Sequence, residues 1–315
     1  MTEKSGTVQT RLVSDWMTRT GSVSCRTTTV PSYSLKKKPM STELIQKANT
    51  FHSLHTAPGA FVIPNPWDAG SARVLAAFGF RALATSSWAA AATMGRRDGA
   101  VSRDEAIMMA GAIAKAVDVP VAADLENGFG DTPDCVAETI RLAGEAGLVG
   151  GSIEDATGDS NNPLYDFGHA TERIAAAVEA ARRLPFRFVL TARAENFIRG
   201  RPNLDDVITR LQAYEKAGAD VLFAPGLRDL DAVRAVCAAV SKPINFMNAI
   251  PHPFSVAELA DAGVKRISLA AALYRSAIAA LRDAASEMNE RGTFQFVDQT
   301  MNSADLAAMM RPNAQ

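Results

Sequence analysis

The sequence predicts an α/β fold, a parallel (β/α)8 or TIM barrel with extra C-terminal helices. Three observations predict it: eight short apolar runs recur along the chain, helical patterns separate most of them, and glycine or proline marks most junctions. The runs predict strands at residues 61–63, 81–85, 119–123, 150–153, 186–191, 220–224, 242–247 and 265–269. Helical patterns at residues 270–290 and 292–310 predict the C-terminal extension.

The segments between the strands carry helix signals. Residues 205–217 place a set of apolar side chains on one helical face: Val207, Ile208, Leu211 and Tyr214. Ser102 with Glu105, and Ser255 with Glu258, have the spacing of capping boxes, which predicts that helices begin there.

The junctions that enter the strands alternate regularly. Glycine precedes the second, fourth, sixth and eighth strands, and proline begins the third, fifth and seventh: Gly79, Gly147, Gly218 and Gly263, then Pro120, Pro185 and Pro243. A glycine can end a helix in the left-handed conformation, and a proline stops it by disfavouring helical geometry in the preceding residue.

The main alternative is a doubly wound open sheet. It is disfavoured because no Gly-x-Gly-x-x-Gly turn follows an early strand and no Walker phosphate loop occurs. Residues 1–39 are rich in Ser and Thr and lack apolar periodicity, so we expect a disordered extension there. Residues 40–315 are predicted to form a single barrel domain with a C-terminal helical tail.

The composition argues against several classes of function. A formal net charge of −1 gives no field that favours nucleic acid or a membrane surface, and no apolar run approaches the ~20 residues of a spanning helix. The three cysteines, Cys25, Cys135 and Cys237, are far apart, and the four histidines lack metal-ligand spacing. We therefore expect a cytoplasmic protein in which any metal is held by oxygen.

Polar side chains follow the predicted strands. In a barrel of this kind the C-terminal strand ends meet at one rim, where the chemistry lies. In chain order these residues are Asn65, Asp68, Ser86, Ser87, Asp124, Glu126, Glu154, Asp155, Arg193, Glu195, Asn245, Asn248 and Ser268.

Four carboxylates of this set would gather around one guanidinium: Asp124, Glu126, Glu154 and Glu195, with Arg193. Buried carboxylates without partners are costly, so they become protonated or bind a cation. Hard oxygen ligands without His or Cys favour Mg²⁺ or Mn²⁺.

Each of these residues also has a plain structural interpretation. Asp155 could cap a helix, Glu195 could pair with Arg193, and Ser86 and Ser87 could belong to an ordinary loop. The agreement of several successive strand ends is what favours a functional site.

Five segments at these strand ends resemble the isocitrate lyase/phosphoenolpyruvate mutase superfamily in order and spacing. They are residues 65–69 (Asn-Pro-Trp-Asp-Ala), 86–87 with 95–98 (Gly-Arg-Arg-Asp), 124–130 (Asp-Leu-Glu-Asn-Gly-Phe-Gly), 151–155 (Gly-Ser-Ile-Glu-Asp) and 191–195 (Thr-Ala-Arg-Ala-Glu). The resemblance covers about residues 45–290. It implies a TIM barrel that binds a small 2-oxo acid or its enolate on Mg²⁺. It also implies a homo-oligomer, usually a tetramer of dimers that exchange helices.

The resemblance implies a role for each matching acidic residue. Asp124 would ligate Mg²⁺ directly, while Glu126 and Glu154 would hold it through water molecules. Asp98 would support the same water network. Glu126 stands where the superfamily usually has a second aspartate, and its longer side chain should still reach a metal-bound water.

The substrate contacts follow in the same way. The backbone N–H groups of Ser86 and Ser87 would bind the substrate carboxylate, and Arg193 would bind the carboxylate or the oxyanion. Asn245, at the end of the seventh strand, is predicted to line the substrate site together with Asp124.

Residues 156–165 occupy the position of the superfamily's mobile gating loop. Isocitrate and methylisocitrate lyases carry Lys-[Lys/Arg]-Cys-Gly-His there, with the cysteine as general acid, whereas this chain has Asn162 at the cysteine position. Mutases and phosphonopyruvate hydrolases carry Lys-Thr-Asn, which Asn162 matches although Ser160 replaces the lysine. The sixth strand ends at residues 224–226 (Ala-Pro-Gly), without the His or Glu often found at that place.

We therefore expect a Mg²⁺-dependent enzyme that acts on a small 2-oxo acid as a carbon–carbon lyase or decarboxylase, through a metal-stabilised enolate. Arg193, Glu154 and Asn162 are the predicted catalytic residues. The main alternative is phosphorus–carbon chemistry of the phosphoenolpyruvate mutase or carboxyvinyl-carboxyphosphonate phosphorylmutase type. A second alternative is a barrel that binds a 2-oxo acid without turning it over.

Overall fold

Eight parallel strands form a nearly closed barrel, which confirms the predicted fold class. The computed structural model describes residues 41–311, so the predicted disordered extension at residues 1–39 lies outside this range. The strands are β1 (Phe61–Ile63), β2 (Leu83–Ala84), β3 (Val121–Asp124), β4 (Gly150–Glu154), β5 (Val189–Arg193), β6 (Val221–Phe223), β7 (Ile244–Met247) and β8 (Arg266–Ser268). Their order in the sheet is β1-β8-β7-β6-β5-β4-β3-β2.

Each of the eight predicted strands overlaps an observed one, but several are shifted toward the C-terminus. The third strand extends to Asp124, which pairs with Ser152 in the ladder, and the fifth extends to Arg193, which pairs with Glu154. The charged residues therefore belong to the strands themselves, so backbone hydrogen bonds fix their positions.

Helices alternate with the strands on the outside of the barrel. They are α1 (Thr42–Thr56), α2 (Ala69–Ala77), α3 (Ser87–Thr93), α4 (Arg103–Ala116), α5 (Pro133–Glu145), α6 (Phe167–Arg183), α7 (Leu204–Ala217), α8 (Leu230–Ala239), α9 (Val256–Asp261), α10 (Ala272–Ser286) and α11 (Ser303–Met309). A π-helical segment (Glu287–Arg291) and a 3-10 helix (Gln295–Gln299) separate α10 from α11.

The local signals in the sequence explain most helix ends. Both predicted capping boxes form, at Ser102 for α4 and at Ser255 for α9. Gly218 ends α7 in the left-handed conformation, with φ of 105°. Asp68 differs from the prediction: it is the N-cap of α2, and its Oδ1 accepts the N–H of Ser71 at 2.7 Å. At this strand end it therefore serves as a helix cap.

Asn65 bridges the one gap in the ladder, between β1 and β2. Its amide nitrogen donates to the carbonyls of Ala84 and Thr85 at 3.0 and 3.1 Å, and its Oδ1 accepts the N–H of Leu269 at 2.8 Å. The N–H of Ala84 also donates to the carbonyl of Pro64 at 3.1 Å. These bonds satisfy backbone groups that strand pairing leaves free.

Helix α1 contributes to an apolar cluster made with residues from the strands. Phe51 and Ile63 are fully buried there, together with Val149 and Val221. At Gly150 a side chain would clash, since a Cβ would lie 2.7 Å from Phe51 Cε1 and 2.8 Å from the carbonyl oxygen of Val189. A larger cluster packs helices α4 to α9 against the outside of the strands.

The C-terminal helices confirm the predicted helical extension, with a break between them. None of the residues of α10 is buried, and Ile278 and Leu281 lie exposed one turn apart on it. The predicted exchange of helices between subunits stays a prediction. No helix within residues 41–311 is both long and apolar enough to cross a membrane.

Candidate active site

Three neighbouring strands end in charged side chains that meet at one rim of the barrel. Asp124 ends β3, Glu154 ends β4 and Arg193 ends β5. The guanidinium of Arg193 lies 2.9 Å from a carboxylate oxygen of Asp124 and 3.0 Å from one of Glu154. The structure therefore brings together the charged residues at the ends of three successive strands.

The carboxylate of Asp124 is held from three sides. Its Oδ2 accepts the backbone N–H of Ser87 at 3.1 Å, and its Oδ1 accepts the hydroxyl of Ser152 at 3.4 Å. The N–H of Asp124 donates to the hydroxyl of Thr85 at 3.0 Å. Asp124 is thus fixed by the elements on both sides of β3 and by Arg193 from β5.

Glu126 lies just beyond β3 in a strained backbone conformation, with φ of 49°. Its carbonyl accepts the N–H of Glu154 at 2.9 Å, which locks the turn onto β4. Burial, and then the negative charges of Asp124, Asp98 and Glu154, raise the pKa of the Glu126 carboxyl to about 8. The shift is that of a carboxyl group buried beside three other carboxyl groups, and it favours the protonated form until a cation binds.

Arg199 is a member of the cluster that the sequence did not predict. Its Nη2 donates to Glu154 at 2.9 Å, and its Nε lies 3.6 Å from Glu195. Glu195 is fully buried and also pairs with Arg193 at 2.9 Å. The only available signal was the helical spacing of Arg199 four residues after Glu195.

Asp155 has a structural role, but it does not cap a helix. Its Oδ1 accepts the N–H of Glu195 at 2.8 Å, and its Oδ2 accepts the hydroxyl of Tyr214 at 2.6 Å and Arg210 at 3.1 Å. This buried network ties the ends of β4 and β5 to α7. It fixes the backbone that carries Glu154, Arg193 and Glu195.

The donor set fits a hard divalent cation. Five carboxyl groups (Asp98, Asp124, Glu126, Glu154 and Glu195) lie around two guanidinium groups (Arg193 and Arg199), so the acidic groups outnumber the basic ones. Within residues 41–311 no group of three or more His, Cys, Asp or Glu side chains is placed to hold an ion directly. Mg²⁺ typically uses one or two carboxylates and keeps several waters, so one direct carboxylate with water-mediated neighbours satisfies it.

A cavity of about 80 Å³ opens beside this rim. At roughly 10–15 Å³ for each water, it has room for several water-sized groups. Its lining includes Ser86, Asp124, Arg193 and Asn245. The hydroxyl of Ser86 caps α3, and the side chain of Asn245 bonds Ser268 and Arg266.

A match to a protein family shows which superfamily the chain belongs to. The model of the phosphoenolpyruvate phosphomutase family matches residues 51–289, which is most of the chain. The chain belongs to the isocitrate lyase/phosphoenolpyruvate mutase superfamily. This confirms the resemblance predicted from the strand-end motifs, and with it the prediction of an enzyme from a superfamily of lyases, decarboxylases and phosphomutases.

Relatives of this chain in the superfamily are named for different reactions. Phosphoenolpyruvate phosphomutase of Streptomyces hygroscopicus is 31% identical, with 77% of this chain and 80% of that protein aligned. Oxaloacetate decarboxylase of Pseudomonas entomophila is 28% identical over 74% of this chain and 81% of that protein. The crystal structure of a candidate lyase/mutase from Burkholderia cenocepacia J2315 is 51% identical, covers 87% of this chain and 98% of its own, and superposes with a TM-score of 0.85.

The superfamily's gating-loop position is a short loop here, and the structure does not bring Asn162 to the rim. Ala156 and Leu164 form an antiparallel bridge, and the N–H of Thr157 donates to the carbonyl of Pro163 at 3.1 Å. Asn162 is exposed and lines a separate open depression with Arg201. In this loop conformation it contacts neither Asp124 nor Arg193.

A second residue missed by the sequence, Arg173 of α6, anchors the superfamily's glycine-rich turn after β3. Its guanidinium is almost fully buried, donates to the carbonyl of Gly130 at 2.7 Å and lies 4.1 Å from the ring centre of Tyr165. The hydroxyl of Tyr165 in turn donates to Asp131 at 2.6 Å. Arg173 thus joins the turn that follows Glu126 to the end of the gating loop.

Proposed function

We propose that the protein is a Mg²⁺-dependent enzyme that acts on a small 2-oxo acid and breaks a carbon–carbon bond at the carbon atom beside the carbonyl, as a lyase or decarboxylase. One observation carries the proposal: Asp124 and Arg193 meet at 2.9 Å beside a cavity, within a cluster in which carboxyl groups outnumber guanidinium groups. A carboxylate for a cation beside a guanidinium for an oxyanion is the pair that such a reaction needs.

The acidic residues would hold the cation. Asp124 would be its direct ligand, and Glu126, Glu154 and Asp98 would act through water. When bound, Mg²⁺ would supply Lewis-acid stabilisation of the negative charge that develops on the substrate as an enolate. Mn²⁺ has the same ligand preferences and is expected to substitute.

The remaining rim residues would orient the substrate. Arg193 would bind its carboxylate or developing oxyanion, with Glu195 holding the guanidinium in place at 2.9 Å. The N–H of Ser87, which now donates to Asp124, would be available to a substrate carboxylate once a cation takes up that oxygen. Ser86 and Asn245 line the same cavity and would complete its polar wall.

The loop at residues 156–165 would close over the substrate and exclude water, bringing Asn162 to the rim. The proposal requires this movement, because Asn162 lies in a different depression with the loop in its present conformation. The short bridge at Ala156 and Leu164 leaves the intervening residues free to reorient as a unit.

Phosphorus–carbon bond chemistry is the second candidate. Asn162 matches the asparagine of the mutase motif, and a phosphoenolpyruvate phosphomutase is among the relatives at 31% identity. Ser160 stands where that motif has lysine, which weakens this candidate. A barrel that binds a 2-oxo acid without turning it over is the remaining alternative.

Turnover assays with Mg²⁺ test these candidates. We expect pyruvate and CO2 to form from oxaloacetate, and loss of this activity with EDTA. 2-Methylisocitrate, a hydroxy acid whose cleavage would yield a 2-oxo acid, and phosphonopyruvate are assayed beside it. Turnover of phosphonopyruvate alone would favour the second candidate. Metal-dependent binding of oxalate without any product from the three substrates would favour the non-catalytic barrel and contradict the lyase proposal.

A further inference from the structure

Arg266 carries a buried positive charge inside the barrel that no carboxylate compensates. The residue begins β8 and is only 6% exposed. Its three hydrogen bonds all go to neutral groups: Asn245 Oδ1 at 2.8 Å, Thr191 Oγ1 at 2.9 Å and His55 Nε2 at 3.3 Å. Among residues 41–311 no carboxylate oxygen lies within salt-bridge distance of its guanidinium.

His55 cannot supply the missing negative charge and is itself held neutral. Its Nδ1 must carry the proton, because it donates to the carbonyl of Phe51 at 2.8 Å, and Nε2 then accepts from Arg266. Burial, and then the charge of Arg266, lower the pKa of His55 to about 3. The groups that contact Arg266 are therefore all neutral, and none of them balances its positive charge.

The guanidinium still has donors to offer. Arginine has five N–H donors, and the contacts to Asn245, Thr191 and His55 occupy three of them. Arg266 also lines the same cavity as Asp124 and Arg193. An anionic group that reached the part of the cavity lined by Arg266 would meet a buried cation with two N–H donors that these contacts leave unused, and hydrogen bonds between ionised groups are the strong ones.

The spacing within β5 sets the size of ligand that fits. Thr191, which Arg266 bonds, lies two residues before Arg193 on the same strand, and alternate residues face the same side. Two residues span about 6–7 Å along the strand, and because barrel strands tilt by ~36° the level of Thr191, which Arg266 contacts, is about 5 Å deeper than that of Arg193. A short dicarboxylic acid spans such a distance between its two acidic groups.

We infer that Arg266, oriented by Asn245 and Thr191, forms an inner subsite for a second carboxylate of the substrate. The inference rests on the proposed function, because it assumes that the first carboxylate and the 2-oxo group lie at the Asp124 rim. It assigns to Arg266 the distal acidic group that the assayed substrates share. In this arrangement Arg266 binds and positions the substrate and takes no part in bond cleavage.

Calorimetry with Mg²⁺ and two matched ligands tests the subsite: 3,3-difluorooxaloacetate, which has a distal carboxylate, and 3,3-difluoro-2-oxobutyrate, which has a methyl group there. We expect wild-type protein to prefer the diacid by at least about tenfold, as one charge-assisted hydrogen bond provides. Arg266→Met should abolish the preference while leaving the affinity for 3,3-difluoro-2-oxobutyrate unchanged. Arg266→Gln, which keeps polar contacts without the charge, provides the second variant if Arg266→Met does not fold. A preference that persists in either folded variant would overturn the inference, and so would equal weakening of both ligands.

A metal-free measurement separates this inference from the proposed function. Sulfate should raise the melting temperature of wild-type protein above that in sodium chloride of equal ionic strength, and Arg266→Gln should lose this increment. If wild-type protein binds neither 2-oxo acid with Mg²⁺, the proposed function fails. The sulfate comparison alone then tests whether Arg266 forms an anion site. An increment that is equal in both proteins would contradict an anion site at Arg266.

Discussion

Nη1 of Arg193 lies 2.9 Å from Oδ1 of Asp124, so the guanidinium shares the carboxylate that the proposal assigns to a cation. The same guanidinium also contacts Glu154 and Glu195, and it is itself largely buried. Positive charge at this distance repels a cation, yet it attracts the anionic ligand that the cation would bind. Asp124 is thus expected to strengthen the binding of Mg²⁺, whereas Arg193 weakens the binding of Mg²⁺ and strengthens that of the anionic ligand.

This relationship predicts a split effect for Arg193→Gln. Removal of the guanidinium should strengthen binding of Mg²⁺ alone several-fold, because a like charge beside Asp124 is lost. The same change should weaken binding of oxalate in saturating Mg²⁺ by about 10²-fold or more. Titration calorimetry of each ligand measures both effects. A parallel loss of both affinities in a folded variant would instead assign Arg193 to structure alone.

The clash that a side chain would meet at Gly150 predicts that one added methyl group lowers the stability of the fold. Gly150→Ala places a Cβ 2.7 Å from Phe51 and 2.8 Å from a backbone carbonyl, and it should lower the free energy of unfolding by about 1–3 kcal/mol. Gly168→Ala is the matched control, because no atom lies within 4 Å of its new Cβ and the residue is in helix α6. The control should be neutral or slightly stabilising. Urea denaturation of the two variants distinguishes these outcomes.

The neutral, buried state of His55 predicts acid destabilisation. Its pKa is about 3 in the folded protein against an ordinary value of 6.5, so the unfolded chain binds the extra proton below pH 6.5. The contribution of His55 is therefore present above pH 6.5 and is lost as the pH falls toward 3. The slope approaches about 1.4 kcal/mol per pH unit.

The variant His55→Gln isolates this effect. Its free energy of unfolding should depend less steeply on pH between 6.5 and 5 than that of wild-type protein. His252→Asn, at an exposed position, should keep the wild-type slope. Equal slopes in all three proteins would show that His55 is not held neutral by the fold.

The exposed apolar side chains of α10 predict an interface between subunits. Ile278 and Leu281 lie one turn apart on a helix with no buried residue, and Leu281 is 62% exposed. Leu281→Glu should convert a dimer or tetramer into smaller species in light scattering coupled to size exclusion. Met108→Glu, at a comparably exposed position on α4, should leave the assembly intact. A wild-type monomer would contradict the predicted oligomer.

The sequence predicted the barrel well because its signals are local. The bounds of β1 agree with the apolar run at residues 61–63, and the capping box at Ser102 gave the start of α4. The role of Asp68 could not be assigned from the sequence, because an aspartate after a strand has the same signature whether it binds a ligand or caps the next helix, as Asp68 does.

The parts of the site that the sequence missed depend on contacts between distant segments. Arg173 bonds a carbonyl of the turn after β3 across 43 positions, and Tyr214 reaches Asp155 across 59. No periodicity or short motif encodes such pairs. Arg266 was missed for a different reason: an arginine at the start of a predicted strand is usually exposed, and only the closed barrel places it inside.

The measurement that tests the central claim most directly is calorimetric titration of oxalate in the presence and absence of Mg²⁺, for wild-type protein, Asp124→Ala and the surface control Asp231→Ala. We expect Mg²⁺-dependent binding in the wild type and in Asp231→Ala, whose side chain lies at the surface on α8. Asp124→Ala should remain folded by circular dichroism and show no Mg²⁺-dependent binding. Wild-type affinity in folded Asp124→Ala would contradict a metal and 2-oxo acid site at this rim.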